Sequence, residues 1–365
     1  MALARAALAV TVAAALLAGC AGPDAVRGRL HLGMEDAPEG RQLVWPPAPE
    51  VPRYLYAGTL VGEPNFRRDG EAAGGLLAQL GRAIAGLDDE RNAPLVLQRP
   101  VAVCGDEAGR LYVTDASRQA VFVFDEAAGE LRVWTEAAPG LRFVSPVGVA
   151  AVRDAGGGAR VWVADAGLGS VFEFDGSGRP LRTFGKGRLQ RPTGLARDAA
   201  GGRLFVADTG AHDIKVYADR DGSELQVIGG RGSEPGRFNY PTHLALAGGE
   251  LYVTDTMNHR VQVLGAADGA PRRSIGQQGL YVGNLVRPKG VGVDADGNVY
   301  VIESYHDSLL VYTAQGELLL PIGGTGADTG RFYLPAGVWV DARNRVHVAD
   351  MFNGRVVLFQ FLGGG

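Results

Sequence analysis

One phrase occurs six times in this 365-residue chain. A proline opens each copy, at Pro100, Pro146, Pro192, Pro241, Pro288 and Pro335, so successive copies begin 46 to 49 residues apart. Each proline is followed by a short alternating apolar stretch, a turn of Gly, Asp or Asn, a second alternating stretch and an acid. Those acids are Asp115, Asp165, Asp208, Asp255, Glu303 and Asp350. The most regular copies read RPKGVGVDADGNVYVIE at 287–303 and LPAGVWVDARNRVHVAD at 334–350. A unit of this size cannot bury both of its faces alone, so the copies must stack on one another.

Within copy 191–230, Gly194–Arg197, Leu204–Val206, Ile214–Tyr217 and Leu225–Ile228 are short stretches, the last three carrying β-branched or aromatic residues, which predicts four short antiparallel strands. Segments such as DAAGG and DADGN supply the positive φ angles of tight hairpins. Gly at 55 of 365 residues, about double the usual share, fits a turn-dense all-β chain. Six four-stranded copies around an axis predict a six-bladed β-propeller. The sixth copy offers strands at 338–340, 346–348 and 356–359 but no fourth. RYLYAGTLVGEPNF at 53–66 resembles the fourth strand and following loop of the third copy, ELQVIGGRGSEPGRF. It is therefore expected to complete the last blade and remove an open edge. The propeller should span 53–361.

The N-terminus follows different rules. One arginine, an apolar run at 6–18 and the box Leu17-Ala18-Gly19-Cys20 resemble a bacterial lipoprotein signal. The resemblance implies removal of residues 1–19, lipid on Cys20 and an address in the bacterial cell envelope, lipid-anchored in the outer membrane. Residues 20–52 hold six prolines and no periodic apolar face, and read as an extended tether at about 3.1 Å per residue. Trp45 within it is expected to pack on the outside of a blade. Cys104, the only other cysteine, reads as a buried inert thiol, which leaves no intramolecular disulfide. Between closing strand and first copy, Leu76, Leu77, Leu80, Ala83, Ile84 and Leu87 fall at helical spacing, predicting a helix at about 71–87.

DTMNHRVQVL at 255–264 and DMFNGRVVLF at 350–359, with the GxxxxGRFxxP loops at 232–241 and 326–335, resemble NHL-repeat propellers. The resemblance covers about 53–361 and implies the fold. It does not choose a function, because the scaffold serves protein-binding, RNA-binding and enzymatic members. Amidating lyases of this type hold zinc with histidines directly after the inner-strand proline. Here those positions are Val101, Val147, Thr193, Thr242, Lys289 and Ala336, and one step on only His243 is a histidine. One ligand is short of the three a catalytic zinc takes, and His243 stands as the single candidate metal ligand. The six acids obey the repeat and are expected to accept backbone N–H bonds rather than to hold metal.

A net charge of −4 and the lack of any nucleic-acid-reading module argue against nucleic acid, and no cofactor is expected. The reading is a lipid-anchored scaffold whose inter-blade loop face docks a protein partner of the envelope. The candidate face comprises Arg188, Arg191, Arg237, His259, Arg260, Lys289, His306, Arg331 and Arg355. The alternative is a metal-dependent lyase or lactonase acting at the channel.

Overall fold

A computed structural model describes residues 25–33, 42–67, 94–153 and 157–363. Six antiparallel sheets lie in chain order around a central channel. The third blade, for example, runs from Pro192–Asp198 on the inside through Arg203–Asp208 and Asp213–Ala218 to Glu224–Gly229 on the outside. In the last blade, Tyr54–Leu60 pairs antiparallel with Arg355–Phe361, so the N-terminal strand is its fourth. The chain is an all-β, six-bladed propeller. The helix expected at 71–87, the signal segment and Cys20 lie outside the described residues.

Six apolar clusters fill the six seams between neighbouring blades. The inter-blade loops add one plug per seam: the residue three before each proline is Leu97, Phe143, Leu189, Phe238, Leu285 or Phe332, and all six are buried. Burying one such side chain stabilises by about 1.5–3 kcal/mol, so each loop is fastened where it crosses the seam.

Residues 25–33 and 42–52 correct the reading of a free tether. Val26–Arg27 pairs with the outer strand of the first blade, Arg29–Leu30 pairs with Phe66–Arg67, and Val44–Trp45 pairs with Tyr54–Leu60. Trp45 meets Phe359 edge-on at 5.3 Å. Open sheet edges take up extended chain readily, and two-residue pairings between prolines leave no alternating pattern to read. Whatever spacer this chain has is therefore shorter than 20–52.

Candidate functional site

The repeated acids come first, because they decide what is free on the loop face. All six are fully buried. Each carboxylate accepts backbone N–H bonds from the loop entering its own blade: Gln98 and Arg99 donate to Asp115, Val144 and Ser145 to Asp165, Gln190 and Arg191 to Asp208. Asn239 donates to Asp255, Val286 and Arg287 to Glu303, and Tyr333 to Asp350. In the fourth and sixth blades the residue before the proline, Tyr240 or Leu334, has positive φ. Its N–H turns instead to the neighbouring blade, to His212 Nδ1 at 3.1 Å or Asp307 Oδ1 at 2.7 Å. His259 Nδ1 likewise meets the Val286 carbonyl at 2.8 Å. These loop histidines each tie one blade to the next and do not converge. Among the described residues no three His, Cys, Asp or Glu side chains gather as a metal site would.

Most of the expected cationic face is engaged. Arg188 pairs with Glu224, Arg237 and Arg331 donate to the carbonyls of Gly229 and Gly323, and His306 meets Glu303 at 3.0 Å. Arg260 bonds Asp255 and also the Glu234 and Arg237 carbonyls. Arg355 is a correction: it is 2% exposed, pairs with Asp350, and cannot present its charge to a partner. Lys289 is a second correction, since it is half-buried on the inner strand Pro288–Val293 rather than exposed among the loop tips. Arg191 remains exposed on the loop face.

The face also presents apolar side chains. Three loops share one frame between two glycines: Ser233-Glu234-Pro235, Ala327-Asp328-Thr329, and Leu280-Tyr281-Val282. Each frame is closed by the same bridge, Arg231 to Phe238, Thr325 to Phe332 and Gln278 to Leu285. The first two tips are polar. The third exposes Leu280, Tyr281 and Val282 at 72%, 83% and 56%.

The third tip also lacks the clamps of its sisters. Asn258 and Arg260 hold the carbonyls of the first loop, and Asn353 and Arg355 those of the second. The matching residues in the fifth blade are His306 and Ser308, which bond within their own strand connection. The tip lies at the seam of blades four and five, where Gly283 abuts Leu318 and its carbonyl accepts from the Tyr312 hydroxyl at 3.1 Å. Leu318 and Leu319 beside it are exposed, and Leu319 continues into a groove of about 850 Å³ shared with Pro49, Val51 and Phe361. Around the loop face Tyr240, Met257, Tyr305, Tyr333 and Phe352 are exposed as well. Comparing the three loop tips by their flanking glycines is the signal that would have found this surface in the sequence.

The channel is the other concave feature, about 220 Å³ in volume. Its wall is mainly small and aliphatic, with Ala102, Gly148, Gly194, Leu244, Val291 and Val338. His243 reaches into it, deep in the protein and partly open to the channel. Burial and the nearby Lys289 ammonium push its imidazole down to about 3. Cys104 also lines it, with a thiol pushed up by burial and by Asp106, and is thus poorly nucleophilic.

Comparison with known proteins agrees with the architecture. The NHL repeat family matches residues 189–217 and 238–264. No curated protein matches the chain. Among solved structures, a streptogramin B lyase aligns over 73% of this chain and 94% of its own at 12% identity, TM-score 0.52. An auxiliary nutrient binding protein from Bacteroides thetaiotaomicron aligns over 73% and 70% at 14% identity, TM-score 0.55. The nidogen/laminin complex aligns over 71% and 90% at 18% identity, TM-score 0.53. At such identities the likeness shows the fold alone. The fold is that of a six-bladed β-propeller carrying NHL repeats.

Proposed function

We propose that this protein is a lipid-anchored binding module of the bacterial envelope that docks a protein partner through the loops at the seam of blades four and five. The observation that carries the reading is the Leu280-Tyr281-Val282 tip, apolar and unclamped where two sister loops of the same frame are polar and clamped. Exposed apolar side chains on a water-facing loop oppose solubility unless something covers them. Tyrosine, aromatic and arginine side chains are also the types that concentrate binding energy at protein interfaces. Proteins of this fold include a lyase, nutrient-binding proteins and a member of the nidogen/laminin complex, so the fold itself does not choose among them.

Replacing Leu280-Tyr281-Val282 by the sister sequence Ser-Glu-Pro tests the reading. The frame already accepts that sequence, so the melting temperature should hold within a few degrees. Capture of a specific envelope protein by the immobilised propeller should fall at least about tenfold, as loss of a hot-spot aromatic implies. Undiminished capture by the folded variant would contradict the proposal.

A further inference from the structure

The residue just before the inner-strand proline reads Arg99, Ser145, Arg191, Tyr240, Arg287 and Leu334 around the ring. The arginines fall on the first, third and fifth blades, one on every second blade. Each has its backbone N–H fixed on the buried acid of its own blade: Arg99 to Asp115 at 2.9 Å, Arg191 to Asp208 at 2.8 Å, Arg287 to Glu303 at 2.8 Å. The next residue in each case is the proline that opens an innermost strand, Pro100, Pro192 or Pro288. The three side chains are thus rooted around the channel mouth, and all three are exposed.

None has a counter-ion. Among the described residues no carboxylate or carbonyl pairs with any of the three guanidiniums, and Arg99 alone makes a contact, over the Phe352 ring at 4.9 Å. The acids at the same blade ends are fully buried, and their oxygens are taken by backbone N–H groups or by Lys215, Arg260, His306 and Arg355. Asp307 accepts from the Leu334 N–H and from Thr325 Oγ1. The exposed acids of the described inter-blade loops, Glu136, Glu234 and Asp328, stand toward the rim. Their loops lie against the outer strands Pro180–Phe184 and Pro271–Ile275 and against Trp45. Beside the arginines, Tyr240, Met257, Tyr305, Tyr333 and Phe352 are exposed on the fourth to sixth blades. Two residues after the acid, where those blades carry Met257, Tyr305 and Phe352, the first three carry only Ser117, Gly167 and Gly210. The mouth therefore combines unpaired positive charge on alternate blades with an apolar crescent on one half. Arginine, methionine and aromatic residues are the types enriched at protein interfaces.

We infer that the channel mouth is a docking surface for an acidic polypeptide segment, whose carboxylates meet Arg99, Arg191 and Arg287 and whose apolar side chains lie on the crescent of blades four to six. Guanidiniums rooted on alternate blades stand apart around the mouth, which suits several carboxylates along a chain rather than one small anion. Each guanidinium can take a carboxylate in a two-pronged hydrogen bond. The inference rests on the reading of the loop face as a protein-docking face and names the chemistry of the partner. The 280–282 tip lies at the rim and the arginines at the mouth, so a change at one leaves the other in place.

Titration of the full-length protein in phosphatidylcholine nanodiscs with a peptide alternating glutamate and leucine tests it. A peptide alternating lysine and leucine and an oligogalacturonate of equal negative charge are the comparison ligands. The acidic peptide should bind saturably and dissociate as salt rises, since exposed charges are screened. Arg99→Gln, Arg191→Gln and Arg287→Gln should each weaken it about twofold to fivefold, and the triple variant about tenfold or more, at an unchanged melting temperature. Gln at Arg179, Arg220 and Arg343, exposed arginines of the opposite face, should leave the affinity as it was. The Ser-Glu-Pro variant at 280–282 should also retain it, so loss of the docking tip and loss of the arginines read out separately. No saturable binding of the acidic peptide, or full affinity in the folded triple variant, would overturn the inference. Binding of the lysine peptide or of oligogalacturonate as tight as that of the acidic peptide would overturn it too. So would a gain of about tenfold on changing Asp88, Asp89 and Glu90 to Asn, Asn and Gln, because the arginines would then already be occupied by acids of the same chain.

Discussion

Arg355 Nε donates to Asp350 Oδ2 at 2.8 Å with both side chains buried, and the same guanidinium donates to the carbonyls of Ala327, Asp328 and Arg331. One residue thus joins the end of a second strand to the loop arriving from the preceding blade. Burial raises the Asp350 carboxyl above its ordinary range even with the guanidinium beside it, so the charge pair is held by geometry in spite of poor solvation. Arg355→Met should destabilise by about 3–5 kcal/mol, because it leaves a buried acid without its counter-charge and takes a donor from the carbonyls of Ala327, Asp328 and Arg331. Asp350→Asn in the same chain should recover part of that loss. Denaturant midpoints of the single and double variants decide it, and a single variant within about 1 kcal/mol of the parent would refute the clamp.

Acid sensitivity follows from His347. The imidazole is fully buried against Trp339, with Nε2 3.5 Å from Asp341 Oδ2. Burial is the main influence and lowers its pKa, and Arg345 adds to the lowering. His243 is depressed in the same sense, to about 3. A depressed folded pKa means that the unfolded chain takes up the proton first as pH falls below about 6.5. Stability is therefore lost with acidification from that point, by up to about 1.4 kcal/mol per pH unit for each histidine. Burial opposes it, but Asp341 is depressed too, by the nearby His347 and by hydrogen bonds from Arg345, and adds its own loss only below about pH 4. Tyr112 and Tyr300 occupy the matching place in two other blades, each donating to the matching acid. His347→Tyr should then fold and flatten the melting-temperature profile between pH 7 and 5; an unchanged profile would contradict the assignment.

Ring closure gives a truncation test. A chain beginning at residue 62 lacks Tyr54–Leu60 and exposes the edge of Arg355–Phe361, so it should aggregate. One beginning at residue 25 retains every described strand and should melt highest. One beginning at residue 50 should fall between, having lost Trp45 and the pairing of Val26–Arg27. Equal stability of the first two would be inconsistent with the closure.

The period-two strands were legible in the sequence because alternation and turn residues act locally, and the closing strand because a fourth strand was missing from one count. The acid of each repeat was legible in type, since a short carboxylate at a strand end caps the backbone beside it. Burial was not. Arg355 and Arg260 follow the same motif, yet one lies within the seam and the other reaches its edge, and only packing separates them. The strands at 26–30 and 44–45 were hidden because two-residue pairings between prolines carry no pattern. Leu280-Tyr281-Val282 carries no signal by itself, because it is ordinary in composition and unusual only beside its sister loops.

The proposed address rests on Leu17–Cys20. Cys20→Ser should abolish labelling by a fatty-acid analogue and shift the protein from membrane to soluble fractions. One acyl chain binds only marginally, so stable attachment requires more than one. Retention of Cys20→Ser in membranes after a high-salt wash would count against lipid anchoring.

Site-specific photo-crosslinking tests the docking claim most directly. A photoreactive phenylalanine analogue is placed in membranes at position 281, and in parallel at positions 234 and 328 of the sister tips. The account predicts one discrete protein adduct from position 281, none from 234 or 328, and its loss when Leu280 and Val282 are changed to Ser and Pro. No adduct at 281, or the same adduct at all three positions, would contradict it.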